Sequence, residues 1–154
     1  MPQLQTGRYR VRIAADAGDL RAARRLRFRC FRAGGPGAEG EDADALDDLC
    51  RHTLIEHRES GLLAGCFRTL HLTSGAQIGR SYSARHYDLS RLRGFAGPMI
   101  ELGRFCIDPA QSHPDILRLA WAALARQVDG TGAGLLFGCS SFAGLDAGAY
   151  ARAF

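Results

Sequence analysis

Residues 99–108 read MIELGRFCID, an apolar strand pattern interrupted by charged side chains that could carry out chemistry. Glu101 and Arg104 lie inside this pattern, with Gly103 between them. An unpaired charge buried in an apolar strand costs several kcal/mol, so these side chains must have partners or a function. A carboxylate in this position could act as a general base, which accelerates a proton transfer by about 10²–10⁴-fold. We therefore predict that this strand holds the reactive groups.

The relative direction of Glu101 and Arg104 depends on the regularity of the strand. Strict alternation places the two side chains on opposite faces of the sheet. A β-bulge at Gly103 would place both on one face and would expose backbone N–H groups beside the carboxylate. Such groups can form an oxyanion hole beside the carboxylate. We therefore predict a bulge at Gly103.

Other charged side chains also lie within apolar segments or at their ends. They are Arg27 in a helix, Arg68 in a strand, and Asp44 and Asp47 in an acidic run over residues 39–48. Buried charges must be paired, so the simplest packing joins these four with Glu101 and Arg104 in one polar network. The acidic run could instead be a solvated loop, or its carboxylates could receive a cationic substrate.

The elements that would hold these residues follow from hydrophobic periodicity, which is two residues in strands and 3.6 in helices. The predicted strands cover residues 9–14, 53–56, 62–70, 99–108 and 134–139, and the predicted helices begin near residues 20, 114 and 144. A glycine-rich mobile loop over 33–40 and a polar connection over 73–98, with a short helix at 89–93, separate them. Antiparallel strands followed by a βαβ crossover indicate an α+β domain with one mixed sheet.

Helix boundaries are predicted from capping residues and apolar spacing. Asp19 is the expected N-cap of a helix over residues 20–33, because its side-chain oxygen can accept a hydrogen bond from the first turn. Pro114 suits the first position of the second helix, with His113 or Ser112 as its cap. The apolar spacing of that helix predicts a buried core stripe of Leu117, Trp121, Leu124 and Val128.

The composition is that of an ordinary globular domain. With 154 residues, of which 46% are hydrophobic and 23% charged, the chain can form one domain with its own core. No apolar run approaches the roughly 20 residues of a membrane helix, and the N-terminus lacks the pattern of a signal peptide. The five cysteines show no CxxC or Cys/His metal spacing, so we expect reduced thiols and no metal site. These features indicate a cytoplasmic protein.

All twenty basic residues are arginine, and the net charge is +4. Several arginines are concentrated near the N-terminus, at Arg8, Arg10 and Arg12 and within residues 21–32. Such a surface could meet nucleic acid, an anionic membrane or an acidic carrier protein. Nucleic acid is disfavoured, because the arginines lack interleaved aromatic residues and a recognised binding motif.

Six short segments occur in the order seen in one branch of the GNAT fold. They are LRFRCF at 26–31, DALD at 44–47, GCFR at 65–68, YS at 82–83, ELGR at 101–104 and GCSSF at 138–142. Over about residues 9–146 the sequence resembles the ornithine acyl-carrier-protein N-acyltransferases and the related acyl-homoserine-lactone synthases, and it looks most like the former. That fold normally continues beyond its fourth helix. We therefore expect residues 1–154 to be a single GNAT-like domain that is truncated at the C-terminus.

The resemblance implies an acyltransferase of ornithine-lipid biosynthesis. Such an enzyme moves a fatty acyl group, typically 3-hydroxy, from the phosphopantetheine arm of acyl carrier protein to the α-amine of ornithine, giving lyso-ornithine lipid. No separately bound cofactor is expected. The implied partners are acyl carrier protein and ornithine or a similar amino acid, with a possible contact to an anionic membrane at the inner membrane face.

The reaction and the resemblance together suggest roles for the residues of strand 99–108. Glu101 is the expected base, which acts on the amine through a water molecule. Backbone N–H groups of Phe105 and Cys106 are the expected oxyanion donors. Cys106 also invites a covalent acyl-cysteine route, but the sequence offers it no base partner. We therefore expect Cys106 to be a packing residue.

The remaining candidate site residues would bind substrate or support the site. Asp44 and Asp47 would hold the cationic ornithine or fix arginines in place. Arg68 or Arg104 could bind a carboxylate. The resemblance also places Ser140, in the GCSSF segment, at the site.

Two departures from the family pattern affect the expected donor and product. CoA-dependent GNAT enzymes have a glycine-rich turn whose amides bind pyrophosphate, whereas residues 111–115 read QSHPD. This favours acyl carrier protein over coenzyme A. Homoserine-lactone synthases carry a tryptophan shortly after the first helix, where residues 32–35 read RAGG. The alternatives are a homoserine-lactone synthase, a CoA-dependent small-molecule N-acetyltransferase, or a non-catalytic GNAT-like module that binds lipid or protein.

Overall fold

A computed structural model describes residues 4–32, 39–111 and 113–140 of the chain. The strands in this part are β1 (Leu4–Thr6), β2 (Tyr9–Ile13), β3 (Arg51–His57), β4 (Leu63–Leu72), β5 (Met99–Ile107) and β6 (Leu135–Gly138). They form one sheet in the order β1-β2-β3-β4-β5-β6. Neighbours are antiparallel except β5 and β6, which are parallel. This mixed sheet confirms the predicted α+β class; β1, which is only three residues long, was not predicted.

Helix α1 (Ala17–Phe31) covers one face of the sheet with its apolar stripe. The buried residues of this contact are Ala23, Leu26, Leu54, Cys66 and Cys106. Arg27 lies on the same stripe and is only 1% exposed, so its predicted position on the apolar side of the helix is confirmed. Arg21, Arg25 and Arg29 are exposed, as expected for the solvent side.

The prediction that Asp19 caps this helix was wrong, because the cap is Asp16, one turn earlier. The Asp16 carboxylate accepts a hydrogen bond from the backbone N–H of Asp19. The Asp19 carboxylate instead accepts two hydrogen bonds from Arg12 on β2, at 2.5 and 2.6 Å. These bonds lower the pKa of Asp19 to about 2 and tie the first turn of α1 to the sheet.

Helix α2 (Pro114–Thr131) covers the opposite face. Pro114 is at its first turn, and the His113 ring accepts a hydrogen bond from the backbone N–H of Asp115, as a cap. Its buried residues are Ile116, Leu119, Ala120, Ala123, Leu124 and Gln127. The predicted core stripe was therefore wrong for Leu117 and Trp121, which are 44% and 52% exposed. The small alanines turn towards the sheet, and the larger Trp121 lies at its edge.

The connection between β4 and β5 is ordered into short 3₁₀ helices over Gly75–Arg80, Ser83–Arg85 and Ser90–Gly94. The last of these lies where a short helix was predicted. The connection packs on the face that α1 also covers, where Leu70, Leu72, Ile78 and Met99 form a small core. It thereby brings residues 82–83 against β5.

No helix among residues 4–32, 39–111 and 113–140 is long and apolar enough to cross a membrane. Most of the predicted glycine-rich loop and the whole of the helix predicted from residue 144 lie outside the described residues.

Candidate active site

Strand β5 contains a bulge close to the predicted position. The pairing of β4 with β5 shifts register between Cys66 and Arg68, so that Arg104 and Phe105 together oppose one residue of β4. Arg104 has a φ of 52°, in the left-handed region that side chains other than glycine rarely adopt. The bulge therefore exists, but Arg104 and not Gly103 takes the left-handed conformation.

The bulge places Glu101 and Arg104 on the same face of the sheet. The ring of Phe105 turns to the other face and stacks on Phe67, with 5.8 Å between the ring centroids. The Arg104 guanidinium lies over the Tyr82 ring, 5.2 Å from its centroid. Two groups that strict alternation would separate therefore reach one site.

Glu101 is 5% exposed and is held by three hydrogen bonds from residues 82–83. The backbone N–H of Tyr82 donates to Oε2 at 2.8 Å. The backbone N–H and the hydroxyl of Ser83 both donate to Oε1, at 2.7 and 2.6 Å. A carboxylate offers about four acceptor positions, so one remains on Oε2 for a water molecule or a substrate.

A buried arginine–aspartate network lies beside Glu101. Its contacts are Arg27–Asp47 (2.7 Å), Arg27–Asp42 (3.2 Å), Arg68–Asp47 (2.6 Å), Arg68–Asp44 (2.7 Å), Arg104–Asp42 (2.9 Å), Arg104–Asp44 (3.3 Å), Arg24–Asp47 (2.9 Å) and Arg32–Asp42 (2.7 Å). The predicted polar network is thus confirmed for five of its six members. Glu101 is not one of them, because its oxygens contact residues 82–83 instead of an arginine.

The arginines keep these aspartates ionised. Burial alone would raise the pKa of Asp47, but hydrogen bonds from Arg27, Arg68 and Arg24 outweigh burial and lower it below its usual range. The same balance lowers the pKa of Asp42 and Asp44. The three carboxylates are therefore engaged by arginine, which matches the second of the two roles considered for Asp44 and Asp47.

Arg104 lines the cleft described below and has N–H donors to spare. Its Nε lies 2.9 Å from Asp42 but is not aligned for a hydrogen bond, and Nη2 donates to Asp44 at a long 3.3 Å. Its side chain is 21% exposed, whereas that of Arg27 is 1% exposed. A guanidinium has five N–H donors, so Arg104 can still bind a ligand carboxylate.

A cleft of about 1230 Å³ opens beside the bulge. Strand β6 pairs with β5 only as far as Leu102 and Gly138, and the cleft lies where this pairing ends. β6 is half-buried here, since Leu136 is 40% exposed. The cleft exceeds the roughly 300–1,000 Å³ of common small-molecule pockets. The exposed aromatic and aliphatic residues on its walls are Phe31, Tyr87, Trp121 and Leu136.

The structure brings some of the predicted site residues to this cleft and leaves others behind it. Those that line it are Glu101, Arg68, Arg104, Phe105 and Ser140. Those that do not line it are Arg27, Asp44, Asp47 and Cys106. The second group supports the first, because Asp44 and Asp47 hold the guanidinium of Arg68 at the cleft wall.

Cys106 is a packing residue in this structure. Its sulfur lies 3.6 Å from that of Cys66, and the side chain is buried under α1. Its contact with Cys30 lowers the pKa of the thiol, but the contact with Cys66 and burial outweigh it and raise the pKa above the usual range. The thiol form is a poor nucleophile, so the covalent route through Cys106 has no support here.

Sequence reasoning missed several residues of the site. Ser83 supplies two of the three donors to Glu101, Cys139 lies 3.3 Å from the Ser83 hydroxyl, and Trp121 lines the cleft. Asp42 joins the network from the same acidic run as the predicted aspartates. Its contact with Arg27 could not be predicted from the sequence, because the path of the intervening loop brings the two residues together. Among the described residues, no group of three or more His, Cys, Asp or Glu side chains could hold a metal ion.

Comparisons with known proteins find relatives that match nearly the whole chain. The chain is 33% identical over 153 residues to an L-ornithine N(alpha)-acyltransferase of Rhodobacter capsulatus, covering 92% of this chain and 59% of that protein. It is 29% identical over 163 residues to an L-ornithine N(alpha)-acyltransferase of Brucella abortus, covering 94% of this chain and 57% of that protein. The chain thus spans under three fifths of the length of these relatives.

The fold also matches solved structures. The crystal structure of the AHL synthase LasI superposes with a TM-score of 0.59 at 24% identity, over 84% of this chain and 71% of that one. The family model described as an acetyltransferase (GNAT) domain matches residues 26–122, which include the end of α1, all of the arginine–aspartate network except Arg24, the bulged strand and the start of α2. The chain therefore belongs to the GNAT acetyltransferase domain family.

Proposed function

We propose that the protein is an N-acyltransferase that moves a fatty acyl group, typically 3-hydroxy, from acyl carrier protein to the α-amine of ornithine, giving lyso-ornithine lipid. The observation that carries this proposal is Glu101. It lines a large cleft, contacts no arginine within hydrogen-bond distance among the described residues, and keeps a free acceptor position. The names of the two curated relatives supply the substrate class.

Glu101 would act as the general base. In the reaction the amine nitrogen forms a bond to the thioester carbonyl carbon, and the bond from that carbon to sulfur breaks. The attacking amine must lose a proton, which Oε2 of Glu101 accepts directly or through one water molecule. The three hydrogen bonds from residues 82–83 fix the carboxylate in place.

The bulge would stabilise the negative charge on the carbonyl oxygen. Gly103, Arg104 and Phe105 line the cleft where β6 no longer pairs with β5. Backbone N–H groups there, with those of Phe105 and Cys106 as the candidates, would donate to the oxyanion, and each such donor is worth about 10²–10³-fold in rate.

The cleft walls suit an acyl chain and an amino acid. The exposed side chains of Phe31, Trp121 and Leu136 offer apolar contact to a fatty chain. Arg104 has N–H groups available for the acceptor's carboxylate, and it lies on the same face as Glu101. A carboxylate bound there would present the neighbouring α-amine towards the base.

The start of α2 favours acyl carrier protein as the donor. In coenzyme A enzymes the amides of this turn bind pyrophosphate. Here His113 already accepts from the N–H of Asp115, Pro114 has no N–H, and the Asp115 carboxylate would repel a second anion. A carrier protein presents a single phosphate and is acidic, which suits a chain of net charge +4. The lipid product also favours action in the cytoplasm at the surface of an anionic inner membrane.

The proposal is tested with the wild-type protein and its Glu101→Gln variant, each incubated with ornithine and either acyl-loaded carrier protein or acyl-CoA. Mass spectrometry should detect lyso-ornithine lipid from the carrier-protein donor. Glu101→Gln should lower the rate by about 10²–10⁴-fold. Circular dichroism should show that the variant remains folded, since Ser83 can still donate to the amide oxygen.

Other results would overturn the proposal in specific ways. Full activity of Glu101→Gln would remove the base assignment. An acyl-homoserine lactone as the product would identify a signal synthase, and exclusive use of acyl-CoA would identify a CoA-dependent small-molecule acetyltransferase. Binding of acyl chains without turnover would identify a non-catalytic module.

A further inference from the structure

A thiol, a hydroxyl and the proposed base are joined in one hydrogen-bonded chain at the cleft. The Cys139 sulfur lies 3.3 Å from the Ser83 hydroxyl oxygen, which lies 2.6 Å from Oε1 of Glu101. Cys139 is exposed and lines the cleft, whereas Ser83 is 4% exposed. Cys139 directly follows β6, and Glu101 lies on β5. The hydrogen bonds from Cys139 through Ser83 to Glu101 therefore connect the two strands where their pairing ends.

The direction of these hydrogen bonds is fixed by the number of protons. An ionised carboxylate only accepts, so the Ser83 hydroxyl must donate its single proton to Glu101. Ser83 can then only accept from Cys139, whose S–H is the donor. Protons can therefore pass between the buried carboxylate and the exposed thiol through one serine.

We propose that Cys139 protonates the thiolate that leaves the acyl donor, and that Ser83 passes the proton from Glu101 to Cys139. This inference rests on the proposed acyl transfer. Cys139 is a catalytic residue in it, and Ser83 is a positioning residue that acts through its neighbours.

The protons balance over one turnover. As the C–N bond forms, Glu101 takes one proton from the amine. As the C–S bond breaks, the Cys139 S–H turns to the leaving sulfur and gives it the proton, and the Ser83 hydroxyl turns from Glu101 to the Cys139 thiolate and donates its proton there. The Glu101 carboxyl group turns so that the oxygen that carries the amine proton faces Ser83 and returns that proton. The enzyme ends in its starting state, and the amine proton has in effect reached the phosphopantetheine thiol.

The other thiols of the cleft lack this arrangement. Cys30 and Cys50 also line it, but the Cys30 sulfur contacts the backbone carbonyl of Ile107. Burial raises the pKa of the Cys50 thiol to about 11. Among the described residues, Cys139 alone has a sulfur within hydrogen-bond distance of Ser83.

The test measures the rate of the full chain of the protein with two acyl donors. Both donors carry the same acyl group. One is acyl carrier protein, whose alkyl thiolate needs a proton to leave. The other is a nitrophenyl thioester, whose aryl thiolate is stable without one. Cys139→Ala should lower kcat/KM by about 10²-fold with the carrier-protein donor, and should leave kcat/KM with the aryl thioester nearly unchanged.

Two further variants sharpen the comparison. Ser83→Ala interrupts the chain but keeps the backbone N–H that holds Glu101, and it should show the same donor-dependent loss. Cys50→Ala removes a cleft thiol away from Ser83, and should leave the ratio of the two rates as in the wild type.

A loss that is equal for both donors in Cys139→Ala, or no loss with either, would overturn the assignment of Cys139. An equal loss in Ser83→Ala would show that the serine acts only by holding Glu101. If the wild type transfers no acyl group from either donor, the proposed function fails and this inference fails with it.

Discussion

The arginine–aspartate network predicts a large loss of stability when Asp47, a fully buried carboxylate that contacts three arginines, is changed. Asp47→Asn keeps the shape of the side chain but removes its charge. In the folded protein Asp47 contacts Arg24 at 2.9 Å, Arg27 at 2.7 Å and Arg68 at 2.6 Å, and its side chain has no exposed surface. The variant would therefore leave two buried guanidinium groups with one aspartate fewer.

The expected loss of stability follows from the cost of breaking a buried ion pair, which is about 3–5 kcal/mol. Arg27 keeps its contact with Asp42, and Arg68 keeps its contact with Asp44, so we expect the lower end of this range. A domain of this size is stable by only about 5–15 kcal/mol. With a urea m-value of about 2 kcal/mol per molar, the unfolding midpoint should fall by about 1.5 M.

Urea unfolding at pH 7, followed by circular dichroism, measures this change. The matched control is Asp48→Asn, which removes the same charge from the next residue. Asp48 is exposed and forms no ion pair with another described residue, so its variant should stay within about 0.5 kcal/mol of the wild type. Equal midpoints for the two variants, or a loss below about 1 kcal/mol for Asp47→Asn, would refute the reasoning.

Two further predictions concern acid and the end of α2. Because ion pairs lower the folded-state pKa of Asp42, Asp44 and Asp47, their contribution is present above about pH 4, the unfolded pKa, and is lost as pH falls through the lower folded values. Unfolding midpoints should therefore decline below about pH 4, less steeply in Asp47→Asn, and a flat profile would contradict this. Gly132 has a φ of 63° and Gly130 lies inside the helix with open space beside it. Gly132→Ala should destabilise by about 1 kcal/mol and Gly130→Ala should stabilise by a similar amount; thermal unfolding that ranks the two in the opposite order would exclude this account.

Much of the fold could be predicted because its elements have simple periods. The spacing of Arg27 from apolar neighbours placed it on the buried side of α1, and the pattern of residues 99–108 predicted β5. The need of buried charges for partners then predicted the network. These inferences depend on local geometry and on a general energetic rule, both of which can be read from one chain.

Other features depend on competition that the sequence does not settle. Asp16 and Asp19 could both cap α1, and the nearby Arg12 on β2 decides between them by engaging Asp19. The apolar residues of α2 form two overlapping stripes, and the one with small alanines packs on the sheet, which leaves Trp121 at the cleft. The sequence also does not show that Arg104 adopts the left-handed backbone conformation, because the neighbouring Gly103 is the expected site of a positive φ.

The bulge at Arg104 and Phe105 has a consequence for how the site can be studied. The donors proposed for the oxyanion at this bulge are backbone N–H groups, which belong to peptide bonds and not to side chains. An alanine scan leaves these N–H groups in place, so it would report the loss of the Arg104 and Phe105 side chains and not the contribution of the proposed donors. Replacement of a single backbone amide by an ester removes one N–H donor and would test its contribution directly. A substitution at Phe105 would likewise replace the side chain while the backbone N–H proposed as a donor stays in place.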